Sequence, residues 1–121
     1  MPRPQDFLRF IQLGTFQQDW EDLGLVDDDL AALEVLIMAE PDGPAPQEGT
    51  SGFRLINFLS PLNKEDRPNG ILVGYAYFPA SSVAALLVAA DLNEPLGLNK
   101  QTRNQFKSDI EFIEERLKNG D

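Results

Sequence analysis

Any chemistry in this chain must come from arginine, lysine, tyrosine and carboxylate side chains, because its 121 residues include no histidine and no cysteine. This absence excludes thiol nucleophiles, disulfides, and triads, proton shuttles or metal sites built on histidine. One compact polar cluster lies near predicted strands, where an arginine combines with the charged residues of a predicted hairpin loop: Arg54, Lys64, Glu65, Asp66 and Arg67.

Two interpretations of this cluster are open. As a site, its cations would stabilise charge developing on a phosphate, with Glu65 or Asp66 accepting a proton. As a solvated hairpin tip, its charges would simply pair with one another, which is common and contributes little to stability. The residues by themselves favour the second interpretation. Tyr75 and Tyr77 stand two apart in a predicted strand and share one face, where packing with the hydroxyls at the edge is the favoured role.

Motifs for metals and cofactors are missing from the sequence. The run Asp27 to Asp29 precedes an apolar segment and is interpreted as the start of a helix, where carboxylates accept from the first backbone amides. An EF-hand loop would need alternating ligands, a central glycine and a distant glutamate. There is no Walker loop, no G-x-G-x-x-G and no G-x-S-x-G, so neither a metal nor a cofactor is expected.

The charge is strongly uneven along the chain. The net charge is −10, from 20 acidic and 10 basic residues, and a nucleic-acid partner is disfavoured because phosphate contacts need cations. No lysine or arginine occurs between Phe10 and Phe53, a segment that contains ten acidic residues. The rest of the chain has ten of each sign, so a local basic face is still compatible with the second half.

Hydrophobic patterns and turn signals predict the elements that position these residues. Thr15 begins a predicted capping box, and Val83 to Ala90 is interpreted as a buried strand, although its alanines and leucines also suit a helix. The C-terminal helix is predicted from the cap Asn99 and a stripe of apolar residues. In order, the predicted segments are a strand at 5–12, helices at 15–23 and 27–40, a loop at 40–51, strands at 53–59, 71–78 and 83–90, and a helix from 99.

The length suits one domain spanning residues 1–121, with a core large enough to need no disulfide or metal. The first residues lack an apolar core of signal-peptide length, and the most apolar run, Val83 to Ala90, is too short to cross a bilayer. A cytoplasmic protein with no membrane partner is therefore expected.

The segments "LGLVDDDL" and "GTSGFR" resemble parts of RelE/HigB-like toxins of type II toxin-antitoxin systems. The resemblance is specific in "LGLVDDDL" and "GTSGFR", is diffuse elsewhere, and extends in the same element order from Phe7 to Leu117. It implies a small α+β fold, with an antiparallel sheet packed by two N-terminal helices and a C-terminal helix. It also implies a short antitoxin-like partner protein, the ribosome and mRNA as further partners, and metal-independent cleavage of mRNA by Lys and Arg on the sheet.

Carried onto this sequence, the resemblance implies that Arg54, Lys64 and Arg67 hold phosphate, while Glu65 or a tyrosine such as Tyr75 assists proton transfer. The departures fall on the family's other polar positions. Leu55 and Asn57 replace a lysine and an arginine on the first strand of the hairpin, and Leu72 replaces an arginine on the second. Ala89 and Asp91 replace a tyrosine and a lysine further on.

Three hypotheses follow for the function. The chain is an active ribosome-dependent endoribonuclease toxin with weakened activity, a catalytically inactive RelE-like scaffold that works as a protein-binding or regulatory module, or an unrelated small α+β interaction domain. Losing one preorganised charge-stabilising donor typically costs about 2.7 to 4 kcal/mol of transition-state stabilisation. The missing cations therefore favour the inactive scaffold as the mechanism, while the resemblance favours the toxin as the family.

Overall fold

The computed structural model describes residues 8–13, 15–59, 70–91 and 99–119. Three helices and four strands follow in the predicted order of a strand, two helices, three strands and a helix. Their bounds are β1 Arg9–Gln12, α1 Phe16–Asp22, α2 Asp27–Ala39, β2 Arg54–Phe58, β3 Ile71–Phe78, β4 Val83–Asp91 and α3 Lys100–Lys118. The predicted α+β class is confirmed.

The four strands form one sheet in the order β1-β4-β3-β2. Strand β3 pairs antiparallel with both β2 and β4, but β1 runs parallel to β4, with Phe10 beside Ala84 and Ile11 beside Ala85. The prediction of an antiparallel sheet is therefore wrong for β1, and the sheet is mixed. Side-chain alternation carries no information on strand direction, because a parallel and an antiparallel neighbour bury the same residues.

Strand β4 confirms the interpretation of residues 83–90 as a buried strand. It lies between β1 and β3, and its small alanines allow helices to approach both faces of the sheet. A β-bulge interrupts its pairing with β3, since Tyr75 pairs with Leu86 and Gly74 with Val88, which leaves Leu87 as the extra residue. The bulge adds a large apolar side chain to the face that α3 covers.

Two hydrophobic cores lie on opposite faces of the sheet. The first, called the α1–α2 core, contains the buried helix residues Phe16, Trp20, Leu33 and Ile37. Its Trp20 packs against the sheet, with the ring centroid 5.9 Å from that of Phe58.

The second, called the α3 core, packs Ile110 and Ile113 against the other face. Phe53 lies over Gly74, where a Cβ atom would overlap the phenylalanine ring, and stacks on Phe106 with 4.2 Å between ring centroids. The helices therefore cover both faces of one sheet, two on one side and one on the other.

The two N-terminal helices begin in different ways. The Thr15 side chain makes no capping bond to a backbone amide of α1, and its hydroxyl donates instead to Asp19 Oδ2 over 3.2 Å, so the predicted capping box is wrong. At α2 the aspartate run does begin the helix: buried Asp29 accepts from the Val26 amide at 2.9 Å. The first-turn carboxylates Asp27 and Asp28 are exposed, where they oppose the positive end of the helix dipole.

Candidate functional site

Arg54 and Tyr75 lie directly opposite each other on β2 and β3. Tyr75 belongs to the α1–α2 core, and the alternation of β2 places Arg54 on the same face as Ile56 and Phe58, which also pack there. Two of the predicted site residues are thus neighbours, on the face of the sheet covered by the first two helices.

Both side chains are bonded to the loop that follows α2. Arg54 Nη1 donates to the carbonyl oxygen of Asp42 at 3.1 Å and to that of Pro44, and the Tyr75 hydroxyl donates to the carbonyl oxygen of Pro41 at 2.8 Å. Side-chain donors suit a loop with three prolines, because each proline contributes a carbonyl acceptor and no amide donor. The arginine and the tyrosine therefore anchor this loop to the sheet.

The environment of Tyr75 keeps its hydroxyl protonated. Its side chain is fully buried, and burial raises its pKa to about 12, with the positive charge of Arg54 acting to lower it and the Asp42 carboxylate to raise it. A phenol that is buried, neutral and already donating to a carbonyl is poorly placed to take a proton from a reacting group. The geometry indicates a structural hydrogen bond.

The remaining predicted site residues, Lys64, Glu65 and Arg67, lie in segment 60–69, outside the described residues. Their approach to Arg54 therefore stays a prediction. Within the described residues, no group of three or more histidine, cysteine, aspartate or glutamate side chains is arranged to hold a metal ion.

Three positions at which the sequence departs from the toxin pattern lie on the face of the sheet that α3 covers. Leu55 packs against the α3 core, and Asn57 shares its face by alternation. Leu72 pairs with Asn57 across β2 and β3. It stands two residues before Gly74 on β3 and therefore shares the face on which Gly74 lies against Phe53 of the α3 core. These three positions therefore lie on the opposite face from Arg54. Their replacements are two leucines and an exposed asparagine, so these three positions supply no cation to the α3 side.

A different surface was missed by the sequence interpretation. The outer side of α2 carries a row of exposed apolar residues, Ala31, Val35 and Ala39, with Leu36 beside them. Val35 is 62% exposed and Leu36 is 40% exposed. We call these four residues the α2 outer stripe. The signal was present in the sequence, because every residue from Leu30 to Ala39 except Glu34 is apolar, which is unusual for a helix with one side in water.

Acidic residues surround the α2 outer stripe. Asp27 and Asp28 are exposed at the start of the helix, and Glu40 and Asp42 are exposed just after its end. Glu34 is half-buried on the flank of the helix, and burial raises the pKa of its carboxyl group. The surface is therefore apolar along its centre and negative at both ends, with Glu34 on one flank.

No protein-family model and no curated protein matches this chain. The described residues define an α+β protein with a four-stranded mixed sheet and three helices. No helix in the described ranges has the length and apolar character needed to span a membrane.

Proposed function

We propose that this chain is a RelE-like scaffold of the toxin-antitoxin type that acts by binding another protein and does not cleave RNA. The observation that carries the proposal is the position of Arg54, whose Nη1 atom donates to the carbonyl oxygens of Asp42 and Pro44. An arginine oriented in this way stabilises a loop, whereas charge stabilisation in a reaction needs donors aimed at the reacting phosphate.

The surroundings of Arg54 support the same conclusion. Tyr75 is buried and donates to Pro41, so it is not available as a proton acceptor. Leu55 and Leu72, at two positions where the toxin pattern has a cation, lie across the sheet from Arg54. Because each lost charge-stabilising donor typically costs about 2.7 to 4 kcal/mol of transition-state stabilisation, even partial additivity removes most of a catalysed rate.

Binding of a protein is supported by the surface of α2. Contiguous exposed apolar patches rimmed by polar residues mark interaction sites on protein surfaces. Here Leu33 and Ile37 fill the inner side of α2, while Val35 stands in solvent on the outer side. An antitoxin-like protein is the kind of partner that the sequence resemblance implies.

The test is expression of the chain alone in bacteria, together with incubation of the purified protein with ribosomes engaged on a message. We expect growth to continue and the message to stay intact, measured by primer extension. Growth arrest with cleavage of ribosome-bound mRNA would overturn the proposal in favour of an active toxin, provided that Lys64→Ala or Arg67→Ala abolishes the cleavage.

Arg54→Ala is informative only beside a measurement of folding, because it also removes the bonds to the loop. Arg103→Ala is its matched control, since Arg103 is an exposed arginine near the start of α3. A loss of cleavage in Arg54→Ala with an unchanged thermal midpoint would assign Arg54 to catalysis and contradict its structural role.

A further inference from the structure

The α2 outer stripe has the form of a helix-packing ridge. Ala31, Val35 and Ala39 are four residues apart, so they lie in one row along the outer side of the helix. Rows of this spacing pack into the grooves of a second helix, the commonest packing in globular proteins. The two alanines allow a close approach, and Val35 supplies the projecting side chain between them.

The charge around the stripe identifies the kind of partner. The margin is formed by Asp27 and Asp28 at one end and by Glu40 and Asp42 at the other, and all four are exposed. Between Phe10 and Phe53 the sequence contains no lysine or arginine, and Arg54, which lies beside Asp42, is bonded to carbonyl oxygens of that loop. A helix docked here gains from basic residues beside its apolar seam, and an acidic helix is repelled.

The same charge argues against other occupants. A second copy of the chain that used the same surface would bring two acidic margins together, and α2 itself contains no lysine or arginine to offset them. A membrane with anionic lipids and a nucleic acid both carry the same sign of charge as this margin.

Resting on the proposed role in protein binding, we propose that the α2 outer stripe docks an amphipathic helix of another protein, whose apolar seam is flanked by lysine or arginine. The half-buried Glu34 lies on the flank of α2, where a cation from such a helix would reach it. Desolvation of this carboxylate is then offset by an ion pair across the interface.

The probe is a synthetic peptide of about 20 residues, long enough to form a helix, with a leucine seam flanked by lysines. Its control has the same seam flanked by glutamates. With labelled peptide and fluorescence anisotropy, we expect the lysine peptide to bind the intact chain and the glutamate peptide to show no saturable binding.

Two variants separate docking from general attraction between opposite charges. Val35→Asp places a charge inside the stripe, whereas Phe112→Asp adds the same charge on α3, at a residue with the same exposed fraction of 62%. General attraction predicts that both variants bind the lysine peptide as well as or better than the parent. Docking predicts that Val35→Asp loses roughly ten-fold or more in affinity while Phe112→Asp does not, since a charge buried in an apolar contact is costly.

Val35→Ser serves where the aspartate perturbs folding, and circular dichroism verifies the helix content of each variant. Equal affinity of the parent, Val35→Asp and Val35→Ser would overturn the proposal. So would sedimentation showing that the chain associates with itself and that Val35→Asp abolishes this association, because the occupant would then be a second copy.

The outcomes are independent of the test for RNA cleavage. If the peptide fails to bind but the message stays intact, the docking proposal fails and the non-catalytic role stands. If the message is cleaved and Val35→Asp still loses peptide binding, the non-catalytic role fails and the docking surface stands.

Discussion

Helix α3 covers one face of the sheet with a single apolar stripe, whereas α2, on the opposite face, is apolar on both of its sides. In α3 the buried residues Ile110 and Ile113 face the sheet, and the outer side carries charged residues, including an ion pair of 3.1 Å between Glu114 and Lys118. In α2 the inner residues are equally buried, but the outer side presents the stripe around Val35.

Two residues with the same exposure make the difference concrete. Val35 on α2 and Phe112 on α3 are each 62% exposed. The Phe112 ring is partly covered from within its own helix, because the Arg116 guanidinium carbon lies 5.5 Å from the ring centroid. Val35 has the small exposed residues Ala31 and Ala39 one turn away on either side. The outer side of α3 is therefore a largely charged, solvated surface, whereas the outer side of α2 is a second apolar surface suited to packing.

Substitutions on the inner, buried sides of α2 and α3 should cause the largest losses of stability, and the losses should be similar for the two helices. Leu33→Ala in α2 and Ile110→Ala in α3 each remove a large side chain that is almost completely buried. Both should lower the free energy of unfolding by about 2 to 5 kcal/mol, measured by urea denaturation. A loss below about 1 kcal/mol for Leu33→Ala alone would mean that α2 is not held by its inner side.

Removing a hydrogen bond to the loop that follows α2 should cause an intermediate loss of stability. Tyr75→Phe removes the bond to the carbonyl oxygen of Pro41 and should cost about 1 to 3 kcal/mol of stability, since a buried acceptor loses its donor. Tyr77→Phe, at a half-buried tyrosine two residues further along the same strand, is the matched control and should cost less.

The pH dependence of the same variant has a defined sign. The folded-state pKa of Tyr75 is raised from 10.0 to about 12, so the protonated form is the one that the fold favours. The contribution of Tyr75 is therefore complete below pH 10 and is lost as the pH rises towards 12. The difference in stability between the parent chain and Tyr75→Phe should narrow across this interval. A constant difference would contradict the buried, donating hydroxyl.

Substitutions on the outer, exposed sides of α2 and α3 should cause the smallest changes in stability. Val35→Ala should change the free energy of unfolding by less than about 0.5 kcal/mol, because Val35 is exposed and alanine favours helix. Phe112→Ala should cost about 0.5 to 1 kcal/mol through loss of the contact with Arg116. If Val35→Ala destabilised the chain by more than Phe112→Ala, Val35 would have a packing role within the chain, and the contrast between the two helices would disappear.

Much of the fold could be predicted from local patterns. The capping residue Asn99, whose side chain accepts from the Thr102 amide at 2.8 Å, and the apolar stripe of α3 were both readable because they involve residues within one or two turns. Strand β4 was identified correctly because a short apolar run between turns suits a strand covered on both faces.

The candidate site was less predictable. Arg54 was singled out as part of a polar cluster near predicted strands, and Tyr75 as a strand tyrosine suited to packing. Their hydrogen-bond acceptors are backbone carbonyls of a loop that is ten or more residues away in the sequence. Backbone acceptors have no residue-type signature, so a pattern of side chains does not reveal them. The roles of Lys64, Glu65 and Arg67 remain predictions from the resemblance.

The sequence by itself determined the element order, the acidic character of the segment between Phe10 and Phe53, and the absence of histidine and cysteine chemistry. Only contacts between distant segments decide that β1 runs parallel to β4, that Arg54 lies on the face covered by α1 and α2, and that Leu36 joins the outer side of α2. The physical reason is the range of the interactions. Propensity, capping and net charge depend on neighbours along the chain, whereas strand direction and the choice of buried side depend on which distant surfaces meet.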